Sequence, residues 1–408
     1  MTGLLLALGL LTLYSAGQTD FPSPVAEIWK RQLVWLGLGT AAAVLAFRVS
    51  PRILEWATPF FYGVALLLLV LVLFFGVGTG TAAGANSWLT VGGLRVGQPA
   101  EPAKLATILM LARHYSTRRE PPTTLGELVP ALVIVGIPFL LVGLQPDLGS
   151  AMVFLGILFV LLYWAGVKPH LLLLLTSPLI SLLLAFSTVS WGAWIVVLTL
   201  VLLWVRPYVL EGLVIWLTNV AMGVIALELW ERLAPYQQNR LLSFLNPEVD
   251  PRATGWHIIQ SKVAIGSGGI FGKGFTQGTQ KRLAFLPEQH TDFIFSVVGE
   301  ELGFVGVLIT LGLCVALLLV LLRIARRASD PYSSMVTVGI GGVLITHVVV
   351  NVGMTVGLMP IVGIPLPFFS YGGSFLITCL VAIGLALRVA WESRRSGYLE
   401  ITGEFRRL

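Results

Sequence analysis

Charge is what this chain has least of. Only 11% of its 408 residues are Asp, Glu, Lys or Arg, and 56% are hydrophobic. A soluble domain carries about 25% charged residues, so a globular surface bathed in water is excluded. The mean hydropathy of +0.88 says the same. Cysteine is nearly absent. Cys314 and Cys379 both lie within apolar runs, which rules out a disulfide framework or a cysteine metal cluster. The five histidines stand singly, and HExxH, paired cysteines and GxxxxGK[ST] do not occur, so no zinc-hydrolase or ATP-binding signature is present. Strict apolar–polar alternation is missing too, which argues against a β-barrel. The net charge of +6 does not point to nucleic acid, because most arginines flank apolar runs. The opening MTGLLLALGLLTLYSAG lacks a basic start and reads as a short first span rather than a cleavable signal.

What is present is a succession of long apolar runs. They predict an all-α polytopic membrane protein of about 10–12 transmembrane helices. Twelve candidate spans fall near 3–17, 32–47, 58–77, 102–114, 126–144, 148–166, 169–187, 191–206, 210–230, 293–323, 334–356 and 367–391. The run 102–114 is too short to cross alone, since about twenty residues are needed. Arg48, Arg52, Arg113, Arg118, Arg119, Lys168, Arg206, Arg323, Arg326 and Arg327 fall in alternate loops, and further arginines end the chain. The positive-inside rule then places both termini in the cytoplasm, with Lys30 and Arg31 a small violation. The expected organisation is one integral membrane domain over 1–408. A large extracytoplasmic loop at 231–292 carries short helices within it.

That loop contains most of a polar island, Trp256–Gly303, dense in glycine and ending near a carboxylate, Asp292, where the chain re-enters an apolar run. Three further polar breaks fall on the same side: Gly84–Ala106, Gln145–Ser150 and Asn351–Ser374. The last holds Pro360, Pro365 and Pro367 and cannot be one helix. Irregular backbone at membrane depth is stable only against protein or a water-filled cavity. The convergence therefore predicts one outward-facing cavity.

Each polar residue admits two readings. Thr291 or Asp292 could simply cap the following helix. Asp292 could equally be a general base at the lipid–water boundary. Gly266, Gly268, Gly269, Gly272, Gly274 and Gly278 suit turns; interleaved with Lys273, Lys281 and Arg282 they could also cradle a diphosphate. Glu101 and Lys104, three apart, share a helix face and can pair for structure or for function. Lys262 reads as a surface or interfacial lysine or as a ligand. Glu300 and Glu301 require water or partners within an apolar run. Trp88 is either an interfacial belt residue or a sugar-stacking one.

Several stretches resemble the SEDS family (shape, elongation, division and sporulation proteins). They are Gln98–Lys104, Gln145–Gly149, Arg240 with Phe244–Pro247, Gln260–Gly269, Gly272–Gly274, Leu286–Phe295, Gly299–Glu301, Asn351–Met354, Gly363–Pro367 and Ser370–Ser374. Gly278–Gln280 and Gly353–Thr355 are more similar to the elongation branch than to the division branch. The resemblance implies a peptidoglycan glycosyltransferase of the bacterial inner membrane that polymerises lipid II. Its active site is extracytoplasmic, and its partner is a class B penicillin-binding protein that cross-links the product. It implies Asp292 as the essential aspartate and Glu101, Lys104 and Trp88 as functional positions. Arg240, Ser261, Lys262 and Lys273 lie in matching segments and are expected to contact substrate. No metal site is identified, although a divalent cation (Mg2+ or Mn2+) is compatible with a diphosphate leaving group. Two departures stand out. Phe375 replaces a frequent serine, and about twelve spans are counted where the family has about ten, with the surplus in Leu171–Trp230. A lipid II flippase and a non-catalytic scaffold of a cell-wall synthase remain alternative functions.

Overall fold

The structure is a computed structural model that describes residues 1–20, 25–78, 87–91, 94–118, 120–233, 238–239, 242, 244, 254–283, 285–286 and 288–405. Among these, twelve helices of fifteen or more residues stand where the apolar runs predict them. They are α1 (Thr2–Ala16), α2 (Ile28–Arg48), α3 (Pro51–Phe75), α4 (Ala100–Ser116), α5 (Val129–Gly143), α6 (Leu148–Trp164), α7 (Pro169–Leu184), α8 (Thr188–Val205) and α9 (Val209–Arg232), and after the island α12 (Ile294–Arg326), α13 (Pro331–Thr355) and α14 (Gly373–Phe405). The island adds two short helices, α10 (Thr254–Ser267) and α11 (Thr279–Arg282). A two-stranded antiparallel hairpin, β1 (Leu89–Val91) and β2 (Leu94–Gly97), precedes α4.

The chain is a multi-pass membrane protein. Among the described residues seven helical stretches are long and apolar enough to span: α3, 126–143, α8, α9, α12, α13 and α14. The apolar α1, α6 and α7 are shorter. Local punctuation sets many of the boundaries. Ser50, Asp147, Ser187 and Asp330 each accept a backbone N–H at a helix start, and Pro51 and Pro331 occupy first-turn positions where no N–H is needed.

At the centre α4 packs between α3, α13 and α6, and α2 lies along α14. Tight crossings depend on missing side chains: a Cβ on Gly156 would strike Thr346, and one on Gly384 would strike the Ala43 backbone. Helices α7, α8 and α9 pack chiefly on one another, around Leu174, Leu198 and Ile215, and meet the rest mainly through α6. The two ends of the bundle differ. Ser116 bonds Glu55, Thr58 bonds Tyr332 and Trp164 bonds Ser334 at the arginine-rich end. The island and the polar breaks gather at the other.

The apolar run at 293–323 is not one straight span. Gly303 takes a left-handed φ of 64° inside α12 and kinks it. An unbroken helix of 33 residues would reach about 50 Å, well beyond the ~30 Å hydrocarbon core. The stretch after the kink is about 35 Å long by the same rise, which suits a single crossing.

Candidate active site

Asp292 closes the turn between the island and α12. The N-cap position is Phe293, without a side-chain capping bond, so neither Thr291 nor Asp292 holds that position. Phe293 is buried with Ile258, Leu286, Met354 and Ile361, which pins the turn against α10 and the end of α13. Asp292 itself is half-buried. The turn is fastened to the irregular segment after α13. The Tyr371 N–H donates to the His290 carbonyl at 2.8 Å, the Ser370 hydroxyl to the Thr291 carbonyl at 2.5 Å, and the Asn351 amide to the Asp292 carbonyl at 2.9 Å. Asn351 also donates to the Ile364 carbonyl at 2.7 Å.

The other polar breaks join the same assembly. Gln98 donates to Asp147 at 2.8 Å and to Ser150 at 3.3 Å, and its N–H donates to Ser374 at 3.2 Å. Gly149 lies so close to the Val362 carbonyl that any Cβ there would collide with it. The three breaks read from sequence thus meet through hydrogen bonds around the loop 356–372.

The candidate residues divide by exposure. Lys262 is exposed, and its side chain lies over Gly357, beside Ile258. Lys273 is part-buried and committed to Glu300 at 2.9 Å. Ser261 is fully buried; its hydroxyl bonds Ser296 at 2.7 Å and the Thr355 carbonyl at 2.6 Å, bracing α10 against α12 and α13. Glu101 and Lys104 form an ion pair of 2.7 Å with side chains only 3% and 1% exposed. Trp88 is half-buried at the base of the hairpin, held by backbone pairing with Val77. Arg240 lies outside the described residues.

Two glycines of the cluster, Gly268 and Gly272, serve close backbone packing. Loop 268–274 lies against the α12 kink, with Lys273 and Gly274 N–H groups donating to the Glu300 and Glu301 carbonyls at 3.0 and 3.1 Å. A Cβ on Gly268 or Gly272 would strike the Gly299 or Glu301 carbonyl, and Gly272 also has a φ of 80°. Beneath the loop a second buried ion cluster ties the island to α1. Lys281 pairs with Glu301 at 2.5 Å and donates to Ser15 at 2.6 Å, and Ser15 in turn donates to Glu301. Burial pulls the Lys281 pKa down, against the opposing pull of Glu301. Burial likewise lowers that of His290, with Glu288 opposing.

The FtsW/RodA/SpoVE family model, described as a cell cycle protein, matches residues 1–208 and 187–395. The chain belongs to this family, the SEDS proteins. It is 37% identical to the peptidoglycan glycosyltransferase RodA of Treponema pallidum, covering 94% of each chain. It is also 37% identical to the peptidoglycan glycosyltransferase MrdB of Escherichia coli, over 94% of this chain and 90% of that one. Among solved structures it resembles a chain of a peptidoglycan synthase complex studied for how polymerization and crosslinking are coordinated (TM-score 0.70, 33% identity, 96% of each chain). It also resembles the rod shape determining protein RodA of Thermus thermophilus (TM-score 0.62, 30% identity, 96% of this chain and 95% of that one).

Sequence reasoning passed over two features of this SEDS chain. His347, a lone histidine in an apolar run, sits at the buried ion pair: its Nε2 is 3.2 Å from the Lys104 ammonium. An isolated ionisable residue inside a span was the available signal. Ser15, at the end of α1, gave no signal at all, because its partners lie 266 and 286 residues away.

Proposed function

We propose that this chain is a peptidoglycan glycosyltransferase that polymerises lipid II, with Asp292 as general base. The observation that carries the reading is the convergence of the polar breaks on the Asp292 turn in a chain of SEDS membership. The acceptor is a sugar 4-hydroxyl; Asp292 takes its proton as the oxygen attacks the donor's anomeric carbon. The bond to undecaprenyl diphosphate breaks and that diphosphate leaves with the electron pair. An α-linked donor becomes a β-1,4 product, so one displacement suffices and no covalent enzyme intermediate forms. Lys262, an exposed cation beside Ile258 of the Phe293 cluster, is assigned to the diphosphate. Among the described residues no group of three or more His, Cys, Asp or Glu is placed to hold a metal, so no step is routed through one.

The polyprenyl tail stays in lipid while the sugar diphosphate reaches the active end. That end is extracytoplasmic on this reading, and both termini are cytoplasmic, because the arginine-rich loops occupy the opposite end. Residues 1–408 form one integral membrane domain with 231–292 as its large outer loop. The cross-linking partner is a class B penicillin-binding protein, in keeping with the synthase complex that the fold resembles.

The test supplies purified protein with lipid II and its partner transpeptidase, with transpeptidation blocked. Wild type is expected to build glycan strands, and Asp292→Ala to lose at least about 10²-fold in rate, the scale of general-base catalysis. Equal polymer from both removes Asp292 from the chemistry. Translocation of lipid II across vesicles without polymer makes the protein a flippase, and neither activity makes it a scaffold.

A further inference from the structure

The Glu101–Lys104 pair is enclosed by protein, with almost no side-chain surface open to a ligand. Glu101 Oε2 has no hydrogen-bond partner among the described residues. The pair's link to the remainder runs through His347, itself completely buried. His347 Nδ1 lies 3.0 Å from the Pro365 carbonyl oxygen. That oxygen can only accept, so Nδ1 carries the hydrogen. A neutral ring then has its lone pair on Nε2, directed at the Lys104 ammonium, which donates to it across 3.2 Å. Phe375, the departure from the family's frequent serine, stacks on the imidazole with ring centroids 4.5 Å apart and keeps it in plane.

Pro365 belongs to the same loop that holds residues 290–292 through Tyr371, Ser370 and the Asn351 bond to Ile364. A series of polar contacts therefore runs from Glu101 through Lys104 and His347 to the Pro365 carbonyl; one peptide unit away the Ile364 carbonyl accepts from Asn351, which also donates to the Asp292 carbonyl. We propose that His347 is a positioning residue that couples the enclosed Glu101–Lys104 pair to the turn bearing Asp292. This rests on the assignment of Asp292 as base. Glu101 and Lys104 then act on the reaction by fixing the loop, not by touching substrate.

The experiment measures lipid II polymerisation, with the partner transpeptidase present and blocked, for His347→Phe, His347→Gln, Lys104→Gln and the His347→Phe/Lys104→Gln double variant. Thermal stability is recorded for each. Phe keeps the ring's bulk and loses both polar contacts; Gln can donate to Pro365 and accept from Lys104. Coupling of this kind is worth roughly 2- to 30-fold. His347→Phe is expected to slow polymerisation by that factor, with His347→Gln restoring most of it. The double variant is expected to be no slower than the slower single one, since both changes cut the same series. Full activity in His347→Phe, or losses that multiply in the double variant, overturns the proposal. If the Phe variant does not fold, His347→Asn replaces it, its shorter amide reaching only one partner, and the same comparison with Gln decides. Asp292→Asn, run alongside, separates the two assignments. An active Asp292→Asn defeats the base assignment itself, whereas an inactive one beside a fully active His347→Phe defeats only the coupling.

Discussion

Two regions of this protein bury polar groups within the membrane bundle, and they do so with different chemistry. Around the island and the loop 356–372 the buried groups include ions beside neutral bonds such as those of Ser261 and Asn351: Glu101 pairs with Lys104, Glu301 with Lys281, and Glu300 with the part-buried Lys273. Among α7, α8 and α9 they are neutral. Asn219 donates to Ser177 at 2.8 Å and accepts from Trp194 at 3.1 Å, Ser181 accepts from Trp191 at 2.9 Å, and Trp216 donates to Thr199 at 3.2 Å. Neutral pairs give helices a register at little desolvation cost, whereas buried ions are expensive and are kept where a site must be held. On the proposed function, the difference separates a region that serves assembly from one that holds the Asp292 turn.

The contrast breaks most readily at Lys281. Its side chain is fully buried, and Lys281→Met would leave Glu301 facing only Ser15 in place of a cation. Removing one partner of a buried pair costs about 3–5 kcal/mol. Thermal unfolding in detergent is expected to register that loss, and α1 to come loose from the island as increased protease cleavage between α1 and α2. A change under about 1 kcal/mol would show the pair to be solvated, as exposed pairs are.

A smaller effect is expected in the neutral region. Asn219→Leu removes the side chain's three bonds, to Ser177, to Trp194 and to the Ile215 carbonyl, and leaves Ser177 and Trp194 to find other partners. Hydrogen bonds between membrane helices average about 0.6 kcal/mol, with a maximum near 1.7. The predicted destabilisation lies in that range, and polymerisation per folded molecule stays at the wild-type level. A loss of turnover at unchanged stability would join α7–α9 to the reaction centre and dissolve the contrast.

The two regions were also unequally legible in the sequence. Span positions and the sidedness of the breaks follow from local apolar length and punctuation, so α7–α9 stands near the places expected despite the interruptions at Pro178 and Ser187–Ser190. The Glu101–Lys104 pair was readable because i,i+3 spacing fixes proximity within one helix. The kink at Gly303 was not readable, since a glycine in an apolar run does not announce a positive φ. Nor was the role of Gly268 and Gly272, which depends on the Glu300–Glu301 backbone lying alongside them. The bonds of Lys273 to Glu300 and of Ser261 to the Thr355 carbonyl were not readable either, since only tertiary folding brings those partners to them.

The finest test of the contrast is titration. His290, on the Asp292 turn, has its pKa lowered by burial, with Glu288 at 3.8 Å only partly offsetting this. The interior of α7–α9 holds Ser, Thr, Asn and Trp side chains in its described bonds and no titrating partner. When a folded-state pKa is depressed, the unfolded chain binds more protons as pH falls through its own value of about 6.5. Stability from His290 is therefore complete above that value and is lost progressively below it. Unfolding temperature measured from pH 7.5 down to 5 should fall more steeply for wild type than for His290→Gln, which has no proton to take up. Parallel curves would mean that this imidazole titrates alike in both states and that the turn is open to water at that point.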